Sequence, residues 1–318
     1  LEKWQEHCDP GDHQNQIFMK TAISKKLAQY IDVSIVSAYV ELTKPGITFL
    51  VLASMGIGFL LGSNGSIDYL NLVNAALGTF LIASGTSAFN QYIERDLDKL
   101  MHRTSKRPLP MHRIGTEKAF LFATILMISG LSYLILTVNF VAGCISAATS
   151  ILYLGAYTPL KRKSFVNVFI GAIPGALPPV GGWVAATGHL TDIGMWILFG
   201  IVFFWQIPHV VAIAWLCNDD YLRAGFRMLP MKDERSLKSS LTVFISLILL
   251  IPVSALLYYF GDSGIIYLVG ATTARIGFLF YGIPPLKEVT KENARKLMFA
   301  SLFYLPLVWI FILIDRLI

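Results

Sequence analysis

The chain has 318 residues, 55% of them hydrophobic and only 14% charged, with a mean hydropathy of +0.61. Soluble domains carry about a quarter charged residues, so this chain lacks the polar material to cover a water-facing surface, and disorder, coiled coil, collagen and a disulfide scaffold are excluded. The net charge of +6 at pH 7 falls between apolar runs, where it bears on membrane orientation rather than on nucleic acid.

Taken in chain order, residues 1–38 read as a polar tail and amphipathic lead-in, without the apolar stretch of a signal peptide. Residues 39–318 read as one membrane domain. Nine apolar runs fall at roughly 46–62, 70–92, 118–136, 138–158, 165–186, 193–216, 239–260, 264–286 and 297–314. They are long and unbroken, which argues for spanning helices and against the short alternating strands of a β-barrel. The fold class expected is therefore all-α, a polytopic membrane protein. Of the 26 Lys and Arg residues, 24 lie at one set of loop ends. The exceptions are Arg275, inside the eighth run, and Arg316. The positive-inside rule then puts the N-terminus and the basic loops on the cytoplasmic side of a cell membrane, or the matrix side in an organelle. Cys8, Cys144 and Cys217 stand far apart, with no metal-type spacing.

The end of the second run carries Asn90, Glu94 and Asp98 at i, i+4 and i+8. On a helix this spacing puts three oxygen-bearing side chains on one stripe. Hard oxygen ligands of this kind suit Mg²⁺, which takes one or two carboxylates plus phosphate oxygens and water. Arg103 and Arg107 follow, the residue type suited to bidentate phosphate binding. Solvated i,i+4 ion pairs at a helix end are the alternative. The next candidate is Tyr157-Thr-Pro-Leu-Lys161-Arg162-Lys163, whose cations would attract a diphosphate and also anchor topology. From Asn167 to Trp183 the fifth run holds Pro174, Pro178, Pro179 and four glycines. Such breakers are tolerated where a cavity or a neighbouring helix satisfies the backbone. After the sixth run come Trp205, Pro208-His209 and Asn218-Asp219-Asp220-Tyr221. Asp219 and Asp220 supply a second acidic cluster at the same end as the first, or simply a helix cap.

Together these segments resemble the heme O synthase (protoheme IX farnesyltransferase) branch of the intramembrane aromatic prenyltransferase superfamily. The resemblance rests on Asn90-x-x-x-Glu94-x-x-x-Asp98, Met101-x-Arg103-Thr104, Arg107-Pro108, Leu42-Thr-Lys-Pro45, Tyr157 to Arg162, Pro178-Pro179 with Gly182-Trp183, Pro208-His209, Asp220-Tyr221 and Met228-Leu-Pro230. It covers about residues 39–316. Two positions depart from the pattern: Arg223 stands four residues after Asp219, and Arg227 stands where the branch usually has proline. The resemblance implies nine helices around a central cavity and Mg²⁺-dependent transfer of farnesyl from farnesyl diphosphate to a vinyl group of heme B, with addition of water to give heme O. It implies metal binding by Asn90, Glu94, Asp98, Asp219 and Asp220. Arg103, Arg107, Lys161 and Arg162 would hold diphosphate, and Tyr157, Trp205 and Tyr221 would face an allylic cation. Asn167 belongs to the expected substrate site as well. His209 would ligate heme iron, move a proton or hydrogen-bond within the bundle. A heme A synthase or terminal oxidase assembly factors would receive the product. A quinone precursor or a chlorophyll-type ring is the rival acceptor within the superfamily. A transporter is the rival class, and it would place its polar sites near the bilayer midplane. Arg275 would meet a heme propionate, an acid or helix carbonyls.

Overall fold

The computed structural model describes residues 35–230 and 236–317. Most of the expected polar tail, residues 1–34, lies outside them; a helix over 35–42 leads into the first span. Nine helices among the described residues are long and apolar enough to cross a bilayer. They are α1 (Pro45–Gly62), α2 (Tyr69–Asp98), α3 (Thr116–Thr137), α4 (Phe140–Leu160), α5 (Asn167–Thr187), α6 (Ile193–Leu216), α7 (Leu237–Tyr259), α8 (Ile265–Lys287) and α9 (Lys291–Arg316). The all-α, nine-span expectation holds. The largest differences are at the end of α2 and the start of α9, where each helix continues through polar residues that hydropathy alone assigns to loops. At α2 this extension keeps Asn90, Glu94 and Asp98 on one continuous helix.

Consecutive spans pack as neighbours, α2 on α3, α6 on α7 and α8 on α9, while α1 returns to pack along α5. The α1–α5 contact is backbone against backbone. A Cβ at Gly58 would lie 1.9 Å from the Pro179 carbonyl oxygen, and one at Gly182 would lie 1.8 Å from that of Met55. Only glycine permits this approach. α5 and α6 are the most buried spans and join the α1–α5 half to the α6–α9 half.

Arg275 is buried in α8 and is held by the Ile251 carbonyl at 2.8 Å and by the Thr272 hydroxyl. It thus binds a helix carbonyl and a hydroxyl and has no acidic partner among the described residues, a known way of carrying a charge within a span.

Candidate active site

The stripe on α2 forms the floor of a polar cavity. Asn90, Glu94 and Asp98 are all buried, and each is met by a cation from a different segment. The Lys44 ammonium donates to Asn90 Oδ1 at 2.9 Å. The Lys161 ammonium donates to Glu94 Oε1 at 2.7 Å. One guanidinium nitrogen of Arg107 donates to both oxygens of Asp98, at 2.9 and 2.8 Å. Thr104 adds a hydrogen bond to the Asp98 carbonyl at 3.0 Å, which ties the following loop to the end of α2.

Local backbone features aim two of these cations. Lys44 caps α1 with φ of 49°, a left-handed conformation. This is costly for a residue that is not glycine and precedes proline, and it turns the side chain toward Asn90. In α4 the helix widens to a π-turn over Leu152–Tyr157 just before Pro159. Proline has no N–H to donate and its ring crowds the preceding turn; the wider turn relieves this, and the Thr158 hydroxyl donates to the Tyr153 carbonyl at 2.8 Å. Such π-turns are frequent at functional sites. Lys161 emerges from it with its ammonium 4.5 Å from the Tyr157 ring centre and 5.8 Å from that of Phe226.

The cavity roof is the segment after α6, which starts with the short helix Asn218–Arg223. Asp220 accepts from the backbone N–H groups of His102 and Arg103, both at 3.2 Å, and pairs with Arg223. Burial pushes the Asp220 carboxyl up, but these donors outweigh it and hold the group below the usual carboxylate range. The Arg103 guanidinium reaches the Tyr221 hydroxyl at 3.4 Å, and burial raises the pKa of that hydroxyl. Further along, the Arg227 N–H donates to the Lys161 carbonyl at 2.6 Å, and Asn167 donates to the Arg227 carbonyl at 3.0 Å. Phe226 and Met228 are thereby held in the cavity wall.

This polar mouth is lined by Asn90, Glu94, Asp98, Arg103, Arg107 and Lys161. It adjoins a second, mostly apolar chamber with about 1160 Å³ of empty space, part of it open to the exterior. Lys44, Ile47, Tyr153, Tyr157 and Val210 line both and form the junction. The chamber wall from α5 includes Gly171, Pro174, Gly175, Pro178 and Gly181, so five of the seven helix breakers in this run line open space, while Pro179 and Gly182 meet α1. Burial, with Arg107 and Lys161 nearby, brings Lys44 down to about 7. The mouth is therefore a cation-rich pocket with buried oxygen donors on its floor, opening onto an apolar space.

Several expected site residues lie elsewhere. Asp219 is exposed, and Asp220 is spent on the loop contact just described and does not line the mouth. No three His, Cys, Asp or Glu side chains among the described residues are grouped to hold one metal ion. The expected five-residue metal set is thus not assembled; the donors gathered are Asn90, Glu94 and Asp98. These fit Mg²⁺ in kind, as hard oxygens of which only two are carboxylates. Arg162 is exposed outside the mouth. Asn167 fastens the roof segment and lines neither space. His209 and Trp205 turn away from both, toward α9: the His209 ring pairs with the Ser301 hydroxyl at 2.7 Å and stacks on Trp205, whose indole N–H donates to the Ser301 carbonyl at 2.8 Å. The reason is helical phase, since Gln206 and Val210 take the cavity-facing positions of α6. The mouth and chamber residues not assigned to the site from the sequence are Lys44, Tyr153, Gln206 and Phe226. Lys44 carried a signal, since it stands in the Leu42–Pro45 motif as a lone cation before an apolar run.

Residues 50–305 match the UbiA prenyltransferase family. A protoheme IX farnesyltransferase of Solibacter usitatus is 45% identical over 287 residues, covering 87% of this chain and 98% of the relative. One from Cytophaga hutchinsonii is 40% identical, covering 88% and 97%. Among solved structures, digeranylgeranylglyceryl phosphate synthase superposes with a TM-score of 0.75 at 22% identity, over 89% of this chain and 98% of that one. A UbiA homolog from Archaeoglobus fulgidus bound to DMAPP and Mg²⁺ gives 0.60 at 16% identity, over 87% and 99%. At these identities the solved structures speak for the fold, while the first relatives speak for the branch. The chain belongs to the UbiA prenyltransferase family and, within it, to the protoheme IX farnesyltransferases.

Proposed function

We propose that the polar mouth binds the diphosphate of farnesyl diphosphate, and that the chamber receives its chain and heme B, one vinyl group of which is farnesylated and hydrated to give heme O. The observation that carries this reading is the junction itself: a cluster of cations and buried hard oxygen donors opening directly onto an apolar space. A Mg²⁺ ion held by Asn90, Glu94 and Asp98 would supply the charge that makes diphosphate a good leaving group. Lys44, Arg103, Arg107 and Lys161 bring four cationic side chains to two carboxylates, so an incoming anion finds surplus positive charge. Lys161 and Arg107 donate charge-assisted hydrogen bonds to it, and the arriving charge favours protonated Lys44. Tyr157 lies at the junction, where its ring faces the developing allylic cation. The roof residues Tyr221, Phe226 and Met228 keep bulk water from that cation until the new bond forms.

The asymmetry of the basic loops supports a cytoplasmic mouth in a cell membrane, with a heme A synthase or oxidase assembly factors as recipients of the product. The test is incubation of purified protein with heme B, farnesyl diphosphate and Mg²⁺, followed by mass analysis of extracted hemes. Heme O is the expected product. Unreacted heme B at every Mg²⁺ concentration would refute the reading.

A further inference from the structure

The chamber holds a feature that the transfer step does not use. Its wall on α2 and α4 carries hydroxyl side chains: Thr79, Thr86, Ser87, Ser146, Thr149 and Ser150. A hydroxyl within a span normally bonds back to its own helix, as Thr86 does to the Ile82 carbonyl at 2.7 Å, Thr149 to Ile145 at 2.8 Å and Ser150 to Ser146 at 3.1 Å. The hydroxyls of Thr79, Ser87 and Ser146 line the same wall without a hydrogen-bond partner among the described residues. At this depth an unpaired polar group costs free energy unless a small polar molecule meets it. Thr86 Oγ1 and Ser150 Oγ are also 2.8 Å apart. The two hydroxyls have two hydrogens for three hydrogen bonds, so lone pairs on this pair stay open to an outside donor.

The position of the group decides which molecule is relevant. Ser87 and Thr86 precede Asn90 by three and four residues, about 4.5–6 Å along the helix. They sit one turn below the metal-and-diphosphate stripe, where the carbon freed from diphosphate meets its acceptor. We infer that Thr86, Ser87 and Ser150 hold the water molecule that is added to the farnesylated vinyl group. This rests on the reading of the chamber given above. In the step, the C1–O bond of farnesyl diphosphate breaks and diphosphate leaves with the electron pair. The terminal vinyl carbon bonds to C1 with the π electrons, leaving a cation on the carbon next to the porphyrin ring. The oxygen of the held water bonds to that carbon and its surplus proton passes to the departing diphosphate. Without the held water the cation instead loses a proton from an adjacent carbon, giving an alkene lighter than heme O by one water.

The test is the ratio of the two products, which a merely structural role would not move, since a folding defect lowers both together. Thr86→Val/Ser150→Ala should raise the proportion of the lighter product about tenfold, as expected for a lost hydrogen-bonding site worth roughly 1.4 kcal/mol. Ser87→Ala, which breaks no hydrogen bond within the protein, should move the ratio the same way and decides the matter should the double variant fail to fold. Heme O free of the lighter product in Ser87→Ala and in any folded double variant would overturn the inference. Failure of the wild-type protein to farnesylate heme at all would instead overturn the reading on which it rests.

Discussion

Replacing Lys161 by Met asks whether Glu94 is held by that cation alone. The two side chains are 12% and 6% exposed and meet at 2.7 Å, so Lys161→Met leaves a buried carboxylate without its partner. Breaking a buried pair from one side costs about 3–5 kcal/mol. The reverse change is milder. In Glu94→Gln the Lys161 ammonium keeps the faces of Tyr157 and Phe226, each worth about 0.5–2 kcal/mol, so a loss of about 1–2 kcal/mol is expected. In the double variant no charge is stranded, and its stability should return to within about 1–2 kcal/mol of wild type, for a coupling of about 3–5 kcal/mol. The measurement is denaturant unfolding in detergent followed by tryptophan fluorescence, with heme farnesylation assayed in parallel. Activity should be lost in all three variants, because both groups line the diphosphate mouth. Additive stability losses, with the double variant the least stable, would refute the argument that this pair is a coupled unit.

Asp220→Ala frees the His102 and Arg103 backbone; KM for farnesyl diphosphate should rise about tenfold, the effect of one lost charged hydrogen bond, with kcat within a few-fold, and an unchanged KM would contradict the loop-fastening role. Lys44, at about 7 in the free protein, must take up a proton when the anion binds, so the apparent Kd for farnesyl diphosphate should be flat below pH 7 and weaken about tenfold per unit above it; a Lys44→Arg variant should abolish the slope, and a slope retained in it would point to another group. His209→Ala removes the bond to Ser301 and the stacking on Trp205, and should lower stability by about 1–2 kcal/mol while the Soret spectrum of bound heme stays as in wild type; a shifted Soret band would return His209 to the site.

The parts of this molecule legible in the sequence are those that depend on local pattern. Long apolar runs fixed the number and order of spans, and the i, i+4, i+8 spacing put Asn90, Glu94 and Asp98 on one face because helix geometry alone decides that. Which cation serves which oxygen was not legible. Lys44 and Asn90 are 46 positions apart and Lys161 and Glu94 are 67, so only the packing of α1 and α4 against α2 pairs them. His209 shows the limit in another form. The preceding proline and the apolar surroundings mark a special position, but the phase of α6 gives the chamber to Gln206 and Val210 and leaves the imidazole to α9. Asp220 was legible as a polar group at the right end of the bundle. Its use became visible only once the loop after α2 was seen to offer two backbone N–H groups.

The meeting of α1 and α5 has a consequence for how this enzyme can change its substrate. Gly58 and Gly182 let main chain rest on main chain, so the spacing of these two walls is set by peptide atoms, which mutation cannot trim. A longer or shorter isoprenoid cannot be accommodated by prying the helices apart, because any side chain at either glycine collides with a carbonyl. If the isoprenoid chain occupies the chamber as proposed, chain-length preference would change through lining side chains such as Val51 and Leu177. The interlock then serves as a fixed jaw, and replacing lining side chains is the way left to reshape the space beside it.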